Sequence, residues 1–515
     1  MAIKIEQQPK PDLQMAGQQL IWAVSHDQIL LNENNVKFIC NVHMSRTLIG
    51  AAPSSSNLVA TLKTSPNSAG SGIFDLQRVA DAYVSPTYEG GSVSVDDALY
   101  KSKAQGIAYA QKAPHSIHNI DFFATNNHNT CYLWPTFDIE YLDNSTGYIE
   151  IDKTETTYGE IKMVWNAVLQ DTNPLGYSED SNGAFTMGFY LQNKQYHDGS
   201  GDYIIRGVGG KGSEIGGRFL SNMPEVQSIH PNDFGTVAFF NCLTIGIDED
   251  CQTMPSNAPD FNIEGIRREF FDSAGNSLLN EFYANVKTSG GAKTHSTSWD
   301  SSNNIVYFGH GLGNFQQRGG TIPANAAYYE VCAAQDTGDR PECVSRTYRF
   351  NIIKNDCKGF ERIRLAWLNR LGTWDYFTFT KRNTRTVKTK QKYYHQLSGT
   401  WNERVYLPKD HLGGKKVYKN DSRETLTLNT DYMTEEEGKW LEELFTSPQV
   451  FILNPYDANN KHTGGQPYTY IHRFVEPCVI SSKSFKRKSM ANDGPTKMMY
   501  KLQIEKSQPK NIQQS

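Results

Sequence analysis

The sequence predicts a mainly β, multidomain protein built from several β-sandwich domains, with a few short helices and a C-terminal α+β unit. Three observations lead to this fold class. The chain has 515 residues, which is enough for about three or four domains of typical size. It contains 27 Tyr and 25 Phe, and these side chains fit half-buried strands. Short apolar runs alternate with Gly-, Ser- and Asn-rich connections, as in sandwiches.

The first domain is predicted to span residues 1–215. Alternating apolar residues predict its first strands at 19–24, 36–42 and 58–62. The helical spacing of apolar side chains over 74–84 predicts a helix, and a second helix is predicted to begin at Ser94 and end before Pro114. Strands are predicted to resume at 130–141 and 148–152, joined by a turn.

A second sandwich is predicted over residues 216–380 and an α+β assembly domain over 381–515. The third domain begins with the polar, basic stretch 381–392. Its clearest element is a helix, for which Thr434 and Glu437 have the spacing of a capping box. The side chains expected on the buried face of this helix are Trp440, Leu441, Leu444 and Phe445.

Composition and charge exclude some classes of function. The formal net charge is −4 and the pI about 6.4, so nucleic-acid binding and attraction to an anionic membrane are not expected. The N-terminus lacks the apolar segment of a signal peptide, and no stretch is long enough to span a bilayer. Synthesis in a cytoplasm is therefore expected.

The eight cysteines are widely spaced and form no Cys-x-x-Cys pair, so reduced, buried thiols are expected. Two pairs, Cys242 with Cys251 and Cys332 with Cys343, have a spacing that could close a loop. The expected cytoplasmic compartment argues against a disulfide in either pair.

Five sequence blocks resemble virion proteins of tailed bacteriophages: residues 73–79, 218–222, 363–376, 440–450 and 479–485. The proteins in question are similar to tail or baseplate components built from fibronectin-like or immunoglobulin-like sandwiches. The resemblance implies a structural subunit of the virion, made in the host cytoplasm, that assembles with other virion subunits and with copies of itself. It also implies loops available to a host surface glycan or receptor, and it implies no cofactor.

Aromatic side chains within these blocks are expected either in the core or at a subunit interface. They are Trp367, Trp374, Tyr376 and Trp440. The alternation over 373–379 is imperfect, which indicates that both faces of that strand are covered. A neighbouring subunit is one way to cover the second face.

The sequence predicts a structural protein rather than an enzyme, and one pattern is a candidate for catalysis. Glu150, Asp152 and Glu155 form Glu-x-Asp-x-x-Glu, which resembles the catalytic strand of laminarinase-like glycoside hydrolases. The resemblance implies that Glu150 is the nucleophile, Asp152 its helper and Glu155 the acid/base, in a reaction that needs two carboxyl groups about 5–5.5 Å apart. The alternative is a solvated strand with Ile149 and Ile151 pointing inward. A third hypothesis is a glycan-binding module without catalysis, in which Tyr and Trp stack on sugars.

Three further patterns have weaker chemical support. His115, His118, His128 and Cys131 have zinc-ligand spacing, but the favoured interpretation is surface histidines beside a buried strand cysteine, without a metal. The glycines of 207–212 match a dinucleotide motif, but two more glycines follow where the required helix would begin. The basic stretches 381–392 and 483–488 are interpreted as an exposed strand face or a partner-binding edge.

Overall fold

The structure is a computed structural model that describes a large part of the chain. The described residues are 3–9, 13–26, 34–46, 53–85, 100–101, 118, 120, 123–125, 129–168, 177–179, 185–187, 195–197, 203–205, 218–241, 265–284, 304–317, 319–335, 341–343, 345–354, 360–400, 403–409, 411–455, 475–482 and 499–508. They are mainly β, with three short α-helices among them, so the predicted fold class is confirmed. No helix in these ranges is long and apolar enough to cross a membrane.

The chain divides into two compact units. The first contains the described residues up to Lys354 together with 368–375, and the second contains those of 360–367, 376–455 and 475–508. The division into domains at residues 215 and 380 stays a prediction.

The first unit begins with a β-sandwich. Its sheets have the strand orders β1-β3-β6 and β2-β11-β9-β4-β5, and β10 pairs with β9. The elements in this part of the chain are β1 (Lys4–Gln7), β2 (Leu13–Met15), β3 (Ile21–Ser25), β4 (Asn34–Ser45), β5 (Leu58–Thr64), β6 (Ser71–Asp75), α1 (Gln77–Tyr83), β7 (Tyr100–Lys101), β8 (Phe123–Thr125), β9 (Thr130–Leu142), β10 (Ile149–Tyr158) and β11 (Lys162–Trp165).

Alternating side chains from the two sheets form the core of this first sandwich. Trp22 and Phe74 from one sheet pack with Phe38 and Phe137 from the other. A Cβ at Gly72 would lie 2.5 Å from the Phe38 ring, so the absence of a side chain there permits the close approach of the sheets. The sandwich predicted from the alternating runs is confirmed for this part of the chain.

A second sandwich in the first unit combines the sheets β17-β20-β8-β7 and β16-β23-β21-β18-β19, with β22 paired to β21. Phe239 and Phe308 from the first sheet share a core with Phe270, Tyr329 and Phe350 from the second. The remaining elements of the unit are β12 (Tyr177–Glu179), β13 (Phe185–Met187), β14 (Gln195–His197), β15 (Tyr203–Ile205), β16 (Val226–Ile229), β17 (Thr236–Asn241), β18 (Gly265–Phe271), β19 (Ser277–Ala284), β20 (Asn304–Gly309), α2 (Leu312–Gln317), β21 (Tyr328–Gln335), β22 (Glu342–Cys343) and β23 (Tyr348–Ile352).

Two helix predictions in the first unit need correction. The helix predicted over 74–84 is shorter, because Ser71–Asp75 is a strand that pairs with β3 and only Gln77–Tyr83 is helical. The helix predicted from Ser94 does not include Tyr100–Lys101, which pair with β8 as a strand. Pairing with a neighbouring strand has overridden local helix propensity in both places.

The second unit is a sheet with one helix, and it confirms the predicted α+β character. Its strand order is β25-β24-β28-β29-β30-β27-β26. The capping box of Thr434 and Glu437 is present, and Trp440, Leu441 and Leu444 are buried as predicted. The elements are β24 (Ile363–Leu368), β25 (Trp374–Phe379), β26 (Thr384–Gln396), β27 (Gly414–Asn429), α3 (Glu435–Thr446), β28 (Val450–Leu453), β29 (Val475–Ile480) and β30 (Lys501–Lys506).

Two of the five cysteines in the described ranges form a disulfide, which was not expected from the sequence. Cys332 on β21 and Cys343 on β22 are bonded, with their Cα atoms 5.8 Å apart. The expectation of reduced thiols is therefore wrong for this pair, because antiparallel pairing of the two strands brings them within bonding distance. Cys40, Cys131 and Cys478 are free and buried, as expected.

Alkylation of the denatured protein tests this assignment. Without reductant, the peptides that contain Cys332 and Cys343 should stay unmodified and linked, whereas Cys40, Cys131 and Cys478 should react fully. After reduction all five should react, as measured by peptide mass spectrometry. The control is Cys332→Ser, which should make Cys343 reactive without reductant. Free alkylation of Cys332 in the unreduced protein would contradict the disulfide.

Candidate functional site

The carboxylates of the glycosidase-like pattern lie on β10. In its register with β9, Glu150 is opposite Tyr141 and Asp152 is opposite Ile139. Directly paired residues share a face of the sheet, so Glu150 and Asp152 lie on the same face as the buried Ile139. A bulge follows Asp152, before Thr157 pairs with Phe137, and Glu155 lies in it. A bulge can bring carboxylates onto one face of a strand, and the catalytic hypothesis stays a prediction.

The neighbouring isoleucines do not point inward as the alternative interpretation assumed. Ile149 is 68% exposed and Ile151 is 43% exposed. Ile151 is opposite Glu140, whose pKa is lowered by its ion pair with Lys63 and by Lys37. Alternation of apolar and polar residues shows that the two faces of a strand differ, but it does not show which face is buried. The pairing with β9 places these isoleucines on the outer face. The β10 edge therefore exposes apolar side chains next to carboxylates.

The zinc candidates are only partly described. His118 is buried, and its ring packs edge-on against Trp374 at a centroid distance of 4.7 Å. Cys131 is buried on β9, and burial raises the pKa of its thiol to about 12, which disfavours the thiolate that binds zinc. His115 and His128 lie outside the described residues. Among the residues that are described, no cluster of three or more His, Cys, Asp or Glu could hold a metal.

The four aromatic side chains expected in the core or at an interface are all buried within the chain. Trp367 and Trp440 pack at a centroid distance of 5.1 Å, which attaches α3 to the sheet of the second unit. Tyr376 lies under the Arg364 guanidinium, 5.3 Å from its ring centre. Their burial supports the core alternative, and their role in assembly stays a prediction.

The turn between β24 and β25 is an organised polar site that the sequence argument missed. The Asn369 amide donates to the Leu220 carbonyl (3.0 Å), Thr373 Oγ1 (2.9 Å) and Asp375 Oδ1 (3.1 Å). Ser221 Oγ donates to the same Asp375 oxygen at 2.6 Å. Each buried polar group thus has a partner, and residues 368–375 are held against the second sandwich. Asn369 and Asp375, three positions before and after Gly372, are residue types typical of turns. Residue type alone does not show that the turn is buried.

Gly372 shows how closely this turn packs. Its φ is +77°, and a Cβ there would lie 1.7 Å from the Asn166 carbonyl oxygen. Trp165 Nε1 donates to the Leu371 carbonyl at 3.1 Å on the same side. These contacts are those of a closely packed structural turn.

The basic stretch predicted as an exposed strand is β26, and its exposure is confirmed: residues 384–395 are all exposed. β27 pairs with β30 only through Thr425–Asn429, so the part of β27 at 414–424 has β26 as its partner. We call this two-stranded segment, residues 384–396 with 414–424, the ribbon. The connection at its end, described at 397–400, 403–409 and 411–413, is called the tip.

The tip is apolar at its surface although it is internally hydrogen-bonded. Leu397, Val405 and Tyr406 are each more than 60% exposed. Thr400 Oγ1 donates to the Val405 carbonyl at 2.8 Å, and Tyr406 Oη donates to the Ser398 carbonyl at 2.7 Å. The tip therefore holds a defined conformation that presents apolar side chains to solvent, as protein-binding surfaces do.

The glycine-rich motif at 207–212 and the basic stretch at 483–488 lie outside the described residues. Neither interpretation is tested.

Comparisons with known proteins give no family assignment. No protein-family model and no curated protein matches the chain. Among solved structures, the Bacillus anthracis TIE protein is similar at 7% identity, with 84% of this chain and 70% of that chain covered and a TM-score of 0.11. A TM-score at this level does not indicate a shared fold.

Proposed function

We propose that the chain is a structural subunit of a tailed-phage particle, in the tail or baseplate, with surface loops available for contact with the host. One observation carries this proposal. The isolated chain exposes two apolar surfaces on hydrogen-bonded β structure, at Ile149 and Ile151 and at the tip. Surfaces of this kind are covered in an assembly. The sequence blocks that resemble virion proteins are the reason for proposing that this assembly is a phage particle.

The contrast between packed cores and exposed strand edges also supports a structural role. Its two sandwiches and the second unit have well-packed cores, whereas the exposed surfaces lie on strand edges and at the tip. Strand edges present unpaired backbone groups that readily pair with another chain. A subunit that must join neighbours on several sides needs such edges.

Particle analysis tests the proposal. Phage particles purified by density gradient should contain this chain in multiple copies, as measured by quantitative peptide mass spectrometry against the major capsid protein. A non-structural phage enzyme measured in the same lysate is the control and should be depleted from the particles. Recovery of the chain only in the soluble fraction would contradict a structural role.

A glycoside hydrolase is the second candidate, favoured by the common face of Glu150 and Asp152 and the bulge after them. If the chain hydrolyses a β-glucan, Glu150→Gln should reduce the rate by more than about a hundredfold, because the covalent intermediate would lose its nucleophile. Glu436→Gln, on an exposed residue of α3, is the control for removal of a carboxylate elsewhere on the chain. Hydrolysis that survives Glu150→Gln would remove this candidate.

A further inference from the structure

The ribbon concentrates positive charge in a chain that is negative overall. Residues 384–429 contain ten Lys and Arg against four Asp and Glu, a net charge of +6. The whole chain has a net charge of −4, so the remainder has a net charge of −10. A cationic segment on an anionic molecule is electrostatically complementary to other copies of the same molecule.

This charge lies mainly on one face. Lys388, Lys390 and Lys392 are two residues apart, so they share a face at a spacing of about 6.8 Å. Their partners on β27 are Arg423, Asp421 and Lys419. Like charges directly opposite each other destabilise a strand pair, so this face is suited to an anionic partner.

Ion pairs within the chain leave the three lysines of β26 uncompensated. Lys419 pairs with Asp421 at 3.5 Å, and Arg423 pairs with Glu505 at 2.8 Å. In the described ranges, no ion pair involves Lys388, Lys390 or Lys392. The other face at this point carries Val387, which is about half exposed. The edge of β26 thus presents lysines on one face and an apolar side chain on the other.

The apolar side chains of the tip favour a protein over a nucleic acid as the anionic partner. Phosphates and base edges are contacted mainly by cationic and polar side chains. Leu397, Val405 and Leu407, each more than half exposed, fit a protein surface better than a nucleic acid. The partner is therefore a protein with acidic and apolar side chains together.

The β10 edge of this same chain has those properties. Residues 143–160 contain five Asp and Glu and one Lys. Ile149 and Ile151 lie on one face, with Glu150 and Asp152 on the other, and Tyr148 beside them is 74% exposed. Among the described strands, β10 pairs only with β9, and none of them occupies its second edge at 149–152.

We propose that β26 of one copy pairs edge to edge with β10 of a second copy. Lys388 and Lys390 are two residues apart on β26, and Glu150 and Asp152 are two residues apart on β10. The two lysines can therefore lie opposite the two acids in either a parallel or an antiparallel pairing. Val387 and Thr389 then lie on the face of Ile149 and Ile151. Backbone hydrogen bonds provide affinity, and the paired charges set the register.

The contact joins different surfaces of two copies, so each copy keeps one free β26 and one free β10. Head-to-tail contacts of this kind close into a ring or continue as a filament. The inference rests on the proposed structural role and gives it a specific mode of self-assembly.

A charge exchange tests the contact in the full-length protein. Sedimentation velocity should show self-association that K388E/K390E weakens by more than about tenfold, because acid then faces acid. E150K/D152K should have the same effect, and an equimolar mixture of the two variants should regain association. K4E/K439E, which changes the net charge equally at two exposed lysines, should associate as the wild type does. Circular dichroism checks folding, and E150K alone replaces the double variant if that variant is unfolded.

Cysteine cross-linking tests the register. A mixture of Ile151→Cys with Thr389→Cys or Gln391→Cys should give a disulfide-linked dimer, whereas Ile151→Cys with Val479→Cys, on an exposed site elsewhere, should not. A monomeric wild type, unchanged association of K388E/K390E, or no gain on mixing would overturn the contact. Loss of labelled duplex DNA binding in K388E/K390E with unchanged association would instead assign the ribbon to nucleic acid. Absence of a self-associating chain from particles would overturn only the particle role.

Discussion

Asn369→Ala should lower the free energy of unfolding of the first unit by about 3–5 kcal/mol. The Asn369 side chain makes three donor contacts and accepts from the backbone N–H groups of Leu371 and Thr373, each at 3.0 Å. Alanine would leave the buried Leu220 carbonyl and the two N–H groups without these partners. Burial prevents water from replacing them without a structural change.

Urea denaturation followed by far-UV circular dichroism measures the effect. Asn276→Ala is the matched control, because Asn276 is exposed and its side-chain amide donates to the carboxylate of Asp272 in a surface turn, so its loss should cost less than about 1 kcal/mol. Asn369→Asp separates the two halves of the network. It keeps an acceptor for the N–H groups but places a carboxylate oxygen against Asp375, and it should also be strongly destabilising. An Asn369→Ala variant as stable as the control would show that the turn is not held by this side chain.

Trp440→Ala should destabilise the second unit by about 3–5 kcal/mol, because it removes the largest side chain that joins α3 to the sheet. Trp440 is buried and packs against Trp367 at 5.1 Å and Phe377 at 6.2 Å. Loss of the indole would leave a cavity between helix and strands. Thermal unfolding followed by circular dichroism provides the measurement.

Lys439→Ala is the control for this substitution. Lys439 precedes Trp440 on the same helix and is exposed, with an ion pair to Glu435 at 2.8 Å, so its loss should cost less than about 0.5 kcal/mol. Trp440→Phe should fall between the two. If Trp440→Ala and Lys439→Ala melt alike, the helix is not attached through this contact. If Trp440→Ala instead abolishes particle incorporation while stability is unchanged, the residue acts at an interface.

Local signals in the sequence predicted the features that depend on neighbouring residues. The capping box at Thr434 and the buried stripe of its helix are of this kind, because capping needs only residues three positions apart. The alternation at Ile21–Ser25 likewise matches the observed alternation of burial. Such features need no knowledge of the partner strands.

Features that depend on distant partners could not be predicted in the same way. The outward position of Ile149 and Ile151 follows from their register with β9. The burial of Asn369 follows from contacts with residues about 150 positions earlier in the chain. The Cys332–Cys343 disulfide depends on the pairing of β21 with β22. The expected cytoplasmic compartment, in which thiols are kept reduced, predicted that this disulfide would not form. For the candidate sites, composition identified the charges of 381–392 and of Glu150, but not the open strand edges beside them.

The strand order of the second unit has a consequence for synthesis. β30, at Lys501–Lys506, lies between β29 and β27 and is therefore inside the sheet. Until the ribosome has released these residues, β27 and β26 have no connection through backbone hydrogen bonds to the other four strands of the sheet, which are β25, β24, β28 and β29. A nascent or prematurely terminated chain therefore cannot fix the ribbon in place. Completion of this sheet thus waits for translation through residue 506, the last residue of β30.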